Sequence, residues 1–289
     1  MRHDVGSRPS QVPHATQAHG QAAFQLSAVA EKALILSHDA VNGEYRHMRL
    51  ACGPIAAGAA PGQFFQLLCP APPGEAPFLR RPMSVYSADP EAGTVEFLYK
   101  VTGAGTRGLA MLGVGETLDI LGPLGQGFTL DPAWRHIVAV GRGAGLATLA
   151  PLARAARAQG IGVTAILSAR RPELVVSEAL FRAQGAKVLA VTESDGTSSP
   201  AYVERQLRAL IAAGRCDAFF TCGSARLLRL QQQLAVEFGL PGQVALEQQM
   251  ACGLGMCFCC VRDFQVEGRT LHKRVCWDGP VFDLLEAVA

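Results

Sequence analysis

The chain has 289 residues, 49% hydrophobic and 17% charged, with 26 Lys and Arg against 24 Asp and Glu for a net charge of +2. This globular composition is sized for two compact domains, or one with an appendage. Scattered Lys and Arg leave no footprint for nucleic acid, and no apolar run approaches the roughly eighteen residues of a membrane span.

Residues 1–23 are rich in His, Gln, Ala and Pro and lack the apolar core of a secretory signal, so a disordered tail is expected. A cytoplasmic chain with reduced thiols is expected from the same observation. From 24 to 132 short β-type runs follow, "KALILSHDA", "YRHMRLAC", "QFFQLLC", "MSVYSAD" and "TVEFLYKVT", separated by Gly/Pro-rich segments. Such punctuation predicts a small antiparallel β-barrel of the Greek-key kind.

From 133 to 240 strand and helix patterns alternate, beginning with "IVAVG" and "LATLAPLARAARAQG". Alternation of this kind predicts a parallel sheet with crossover helices, an α/β domain. Residues 241–289 show little regular periodicity yet hold five of the nine cysteines. They predict a small module organised around something other than a large core.

Three segments carry chemistry. Gly141, Gly143 and Gly145 lie between the first parallel strand and its helix, where a pyrophosphate meets free N–H groups and a positive dipole end. Their G-x-G-x-G spacing also suits plain helix–sheet packing, so alone it does not fix a nucleotide site. In the barrel, "R-R-P-M-S-V-Y-S" (80–87) enters a strand and "G-A-G-T-R" (103–107) follows it.

The third segment is "M-A-C-G-L-G-M-C-F-C-C-V-R" (250–262), with Cys252, Cys257 and Cys260 spaced C-x4-C-x2-C and Cys276 following Cys260 after fifteen intervening residues. Four thiolates satisfy two bridged irons, each taking two sulfurs, so a [2Fe–2S] cluster is favoured. Structural zinc prefers two C-x2-C knuckles and only one is present. Zinc and reactive or structural thiols are the alternatives. Cys259, between two candidate ligands, is expected to be a bystander.

The R-P-x-S strand, "L-Y-K-V-T-G-A-G-T", "G-P-L-G-Q-G-F" and the Gly turn, in that order, resemble the ferredoxin–NADP reductase superfamily, and the Cys222–Gly223 pair fits it too. With "L-E-Q-Q-M-A-C-G-L-G-M-C-F-C-C-V" and "R-V-C-W-D-G-P-V-F" added, the chain resembles the electron-transfer subunits of heterotetrameric dihydroorotate dehydrogenases. The resemblance implies that FAD meets Arg81, Pro82, Met83, Ser84, Leu98, Tyr99, Lys100, Gly105 and Thr106. Within that set Arg81 neutralises pyrophosphate, Ser84 hydrogen-bonds the flavin ring and Thr106 donates to phosphate. It also implies NAD(H) at Gly141, Gly143, Gly145, Cys222 and Gly223, with Cys222 near the nicotinamide, and the cluster on Cys252, Cys257, Cys260 and Cys276.

The expected work is relay, in either direction, between nicotinamide, FAD, the cluster and an FMN-containing partner subunit that oxidises dihydroorotate. No residue of this chain stands out as an acid/base pair for an organic substrate. A stand-alone reductase feeding an oxygenase, and a zinc-stabilised binding subunit without redox function, are the rival readings. Arg142 departs from the family, which usually has glycine there, and is expected to face solvent. Arg170 and Arg171 in "S-A-R-R" are read as a solvated loop rather than a 2′-phosphate site.

Overall fold

The computed structural model describes residues 27–289, so the expected tail lies outside the described residues. The first sheet takes β1 (Val29–Ala40), β2 (Tyr45–Ala51), β3 (Phe64–Leu67), β4 (Arg81–Ser84), β5 (Ser87–Asp89), β6 (Thr94–Lys100) and β7 (Thr117–Leu124). Helices α1 (Pro54–Ala57) and α2 (Ala104–Met111) lie in its connections. Every ladder is antiparallel, in the order β4-β3-β7-β1-β2-β6-β5. Side-chain alternation then sorts the residues. Along β6, Phe97 and Tyr99 enter the barrel's own core while Leu98 turns to the neighbouring domain.

The second sheet begins with β8 (His136–Arg142), β9 (Gly162–Ala169), β10 (Lys187–Thr192) and β11 (Ala218–Cys222). Its crossovers are α3 (Gly145–Ala158), α4 (Glu178–Ala183), α5 (Pro200–Ala212) and α6 (Ala225–Phe238). Strands covered on both faces read as continuous apolar runs rather than alternating ones, and Ile137 to Gly141 are all buried. Ser199 and Ser224 cap α5 and α6, each accepting from the N–H three residues on, at 3.3 and 3.4 Å. β8 lies between β9 and β11, so the strand order reverses there. A crevice outside the strand ends at such a point is where α/β sheets take ligands.

The last fifty residues are more regular than their sequence suggests. β12 (Gly242–Ala245) joins β11 in parallel, and β15 (Val281–Asp283) adds an antiparallel edge to the same sheet. Between them come the hairpin β13 (Val261–Val266) and β14 (Arg269–Arg274), and the turn of helix α7 (Val275–Asp278). Strands of three to six residues are too short to show a period. The cysteine loop therefore hangs from the sheet at both ends and packs on it, since Cys260 and Cys276 share a core with Val138, Phe219 and Phe282.

Candidate functional site

All nine barrel residues implied by the resemblance line one cavity of about 480 Å³ between the barrel and α3. β4 contributes Arg81 to Ser84, β6 contributes Leu98 to Lys100, and α2 contributes Gly105 and Thr106. A Cβ on Gly105 would come within 2.8 Å of Arg81 Nε, so the bare backbone lets the guanidinium lie against the helix N-terminus. A cation beside free N–H groups is a fitting cradle for a pyrophosphate.

Two details differ from the sequence reading. Thr106 Oγ1 accepts from Thr102 N and Gly103 N at 2.8 and 3.0 Å and gives its proton to the Gly103 carbonyl. Its hydroxyl shapes the entry to α2 and has no proton left for phosphate. The Tyr99 ring lies in the barrel core with its hydroxyl 2.8 Å from His38 Nε2, so this residue offers the cavity main chain only.

Ser84 has a neighbour that sequence reasoning missed. Thr148 on α3 donates to Ser84 Oγ at 2.9 Å, which leaves the Ser84 proton for the cavity. Glu247, just after β12, was missed too, and it borders this cavity and the two next to it. Desolvation raises its carboxyl above the usual range. Its one sequence signal is its position between a sheet strand and the cysteine loop.

Around the strand-order reversal, Gly141 ends β8, Gly143 donates to the Ser168 carbonyl at 3.2 Å, and Gly145 opens α3. A Cβ on Gly145 would meet the Cys222 backbone at 2.6 Å, so the Gly turn and the Cys222–Gly223 turn are in contact. Cys222 is buried, and that burial holds its thiol protonated, well above the ordinary cysteine range. It has the character of a wall rather than a nucleophile.

Arg142 corrects the expectation. It is not turned to solvent: Nη1 donates to Ser168 Oγ at 3.0 Å and Nη2 to Glu193 Oε1 at 2.7 Å, with the side chain 20% exposed. It lines a cavity of about 280 Å³ with Gly143, Lys100 and Arg170. Glu44 pairs with both Lys100 and Arg170 there, while Arg170 and Arg171 are exposed, as the solvated-loop reading expects.

In the cysteine loop the sulfurs fall into two pairs. Cys260 Sγ lies 3.2 Å from Cys276 Sγ, with both residues buried. Cys252 lies beside Cys257 and its sulfur accepts from the N–H of Leu254 at 3.3 Å. Burial works to raise the Cys252 thiol, but the N–H groups of Leu254, Cys257 and Met256 aimed at its sulfur bring it down to about 7. Cys276 is held up instead by burial and by the Cys260 sulfur beside it.

Gly253 and Gly255, at φ +71° and +76°, supply the left-handed turns that fold these N–H groups inward. Gly255 N–H points at Cys276 Sγ, 3.2 Å away, and Arg274 Nη1 binds the Gly255 carbonyl at 3.2 Å. Among the described residues, no group of three or more His, Cys, Asp or Glu side chains converges as the ligands of a single ion would. Two sulfur pairs suit two irons, each taking two thiolates, so the donor set fits a [2Fe–2S] cluster. Cys259 is exposed, whereas Cys260 is buried.

A family model described as the iron–sulfur cluster binding domain of dihydroorotate dehydrogenase B matches residues 247–287. The chain is 32% identical over 261 residues to the electron transfer subunit of dihydroorotate dehydrogenase B (NAD(+)) from Geobacillus sp. (strain WCH70), covering 89% of this chain and 98% of that one. The chain belongs to this family.

The electron transfer subunit of Bacillus caldolyticus is 36% identical over 233 residues, with 79% and 86% of the two chains covered. Among solved structures, the NADH-dependent reduced ferredoxin-NADP oxidoreductase studied for flavin-based electron bifurcation aligns with a TM-score of 0.74 and 27% identity, over 89% of each chain. The ferredoxin reductase of carbazole 1,9a-dioxygenase, at 21% identity and TM-score 0.59, shares the fold over 74% of this chain and 67% of its own. As a dihydroorotate dehydrogenase electron transfer subunit, this chain has a ferredoxin reductase-like fold with an antiparallel half-barrel, a parallel-type sheet and a C-terminal iron–sulfur domain. Among the described residues, no helix is long and apolar enough to cross a membrane.

Proposed function

We propose how the residues of this chain divide the work of an electron relay between NAD(H) and a catalytic partner subunit. The relay itself follows from family membership, and with it FAD and a [2Fe–2S] cluster as cofactors. When bound, FAD supplies the exchange of a nicotinamide electron pair for single electrons, and the cluster carries single electrons. The observation that carries the residue assignment is contiguity. Met250, two residues before Cys252, lines the flavin cavity, while Cys260 and Cys276 pack in the same core as Phe64 of that cavity.

In this reading Arg81 and the α2 N-terminus, with the main chain of Gly105 and Thr106, hold the FAD pyrophosphate. Ser84 donates to the ring, and Pro82, Met83, Leu98 and the main chain of Tyr99 and Lys100 form the wall. Gly141, Gly143 and Gly145 receive the NAD(H) pyrophosphate, and Cys222 and Gly223 border the nicotinamide. Cys252, Cys257, Cys260 and Cys276 hold the cluster. The domains run 24–132, with Greek-key strand order, then 133–240 and 241–289.

Arg142 belongs to the nucleotide site as a phosphate ligand braced by Glu193. Arg142→Gly should therefore raise the KM for NADH roughly tenfold, the lower end of what a charge-assisted contact contributes. FAD and iron content should stay at wild-type levels. An unchanged KM in steady-state flavin reduction would remove Arg142 from the site.

The partner is an FMN-containing subunit that oxidises dihydroorotate, joined with this chain in a cytoplasmic heterotetramer. The outer side of the cysteine loop is apolar, with Met256 78% and Phe258 63% exposed, and suits a docking face beside the cluster. Co-expression should yield a complex containing FMN, and Met256→Asp should release the partner while iron and FAD remain. Isolation of this chain alone from such co-expression, with iron and FAD in place, would favour a stand-alone reductase.

A further inference from the structure

Gln66 on β3 is fully buried, yet neither atom of its side-chain amide has a hydrogen-bond partner among the described residues. Leaving such a group unpaired costs about 1–3 kcal/mol, so native proteins almost always supply a partner. The direction of the side chain shows where that partner lies. Phe65 and Leu67, its neighbours on the strand, point into the barrel core. Phe64 points the other way, into the cluster of residues that contains Met250, Cys260 and Cys276, and alternation sends Gln66 to that same side.

There the amide abuts the cysteine loop. Gln66 Cγ and Nε2 each lie 2.8 Å from where a Cβ on Gly253 would stand, directly after Cys252. Gln66 is also the register partner of Pro82 on the flavin strand. It thus lies between the strand that lines the flavin cavity and the cysteine loop.

We propose that Gln66 is a positioning residue for the relay, its amide N–H₂ group donating a hydrogen bond to sulfur of the cluster held by the Cys252 loop and thereby setting the cluster's reduction potential. This rests on the assignment of the four cysteine ligands above. A donor at sulfur stabilises the extra negative charge of the reduced cluster, so it raises the potential. A neutral amide does so without adding a titrating group between flavin and cluster. The small residue at 253 is explained as well, because any side chain there would take the space of the amide.

The test is an EPR-monitored redox titration of the whole chain with FAD and cluster bound. Gln66→Met keeps length and lacks the donor. The cluster midpoint should fall by at least a tenfold change in the one-electron equilibrium, about 59 mV, with an altered EPR line shape and unchanged flavin potentials. A cluster midpoint at the wild-type value overturns the proposal, and so does a shift confined to the flavin, which would give the amide to FAD. Should Gln66→Met fail to fold, the isosteric Gln66→Glu serves: the cluster midpoint should fall further as pH rises and the carboxyl ionises. A wild-type-like midpoint independent of pH in that variant overturns the proposal equally. Wild-type protein free of iron would instead refute the ligand assignment on which the proposal stands.

Discussion

Serine at any one of Cys252, Cys257, Cys260 or Cys276 is expected to leave the chain with little or no iron, while NADH still bleaches the bound flavin. Serine oxygen is harder and less readily ionised than sulfur, so it is a poor ligand for an iron–sulfur cluster. The two sulfur pairs give each position one partner, and loss of either member opens one iron to solvent. The buried pair, 3.2 Å apart, should be the less forgiving, since a hydroxyl at 260 or 276 would also bury a polar group among Phe264 and Phe282. Cys259→Ser is the internal control. Its side chain is exposed and should be replaced without loss of iron or flavin. Iron and sulfide analysis of the five variants reads the result. Loss of iron in Cys259→Ser with Cys260→Ser intact would mean that the two neighbours exchange roles.

Arg81→Ala should weaken FAD retention by roughly 10- to 150-fold, the equivalent of about 1.5–3 kcal/mol for a charge-assisted contact. Gly105→Ala should reproduce part of this loss without touching the charge. Its Cβ would stand 2.8 Å from Arg81 Nε and 2.9 Å from Cγ, and the flexible arginine would swing away from the helix N-terminus. Because both changes act on one contact, the double variant should lose no more FAD affinity than Arg81→Ala alone. Fluorimetric titration of apoprotein with FAD measures all three. Additive losses would mean that Gly105 serves the flavin by another route.

Much of this was readable in the chain. The β-runs of the barrel, the alternation of strand and helix after residue 133, and the cysteine spacing are local patterns, and each element appears where its pattern lies. Other elements lacked a local signal. Helix α2, "AGTRGLAM", carries two glycines in eight residues and reads as a turn, yet Thr106 and the fixed Gly103 carbonyl start it as a helix. β7 is interrupted by "GP" and is held by β1 and β3, strands far away in sequence. The hairpin and edge strand of the last fifty residues are stabilised by packing on the sheet, not by their own period.

The same distinction runs through the site. The cavity-lining residues of the barrel could be carried over by motif, because each sits in a short contiguous run. What those runs cannot express is a contact between distant segments: Thr148 with Ser84, Glu193 with Arg142, Gln66 with Gly253. Arg142 shows the consequence. Judged from its neighbours in sequence it belonged in solvent, but a carboxylate 51 residues away holds it at the cavity beside Gly143.

The central claim is that this chain exchanges electrons one at a time between its nicotinamide-linked flavin and a partner through a cluster on Cys252, Cys257, Cys260 and Cys276. Anaerobic titration of the purified chain with NADH, followed together by visible absorbance and EPR, tests it most directly. The account predicts about two irons and two sulfides per chain, bleaching of bound FAD, and the paramagnetic signal of a reduced [2Fe–2S] cluster growing as NADH is added. A colourless protein with one zinc and no response to NADH would contradict it.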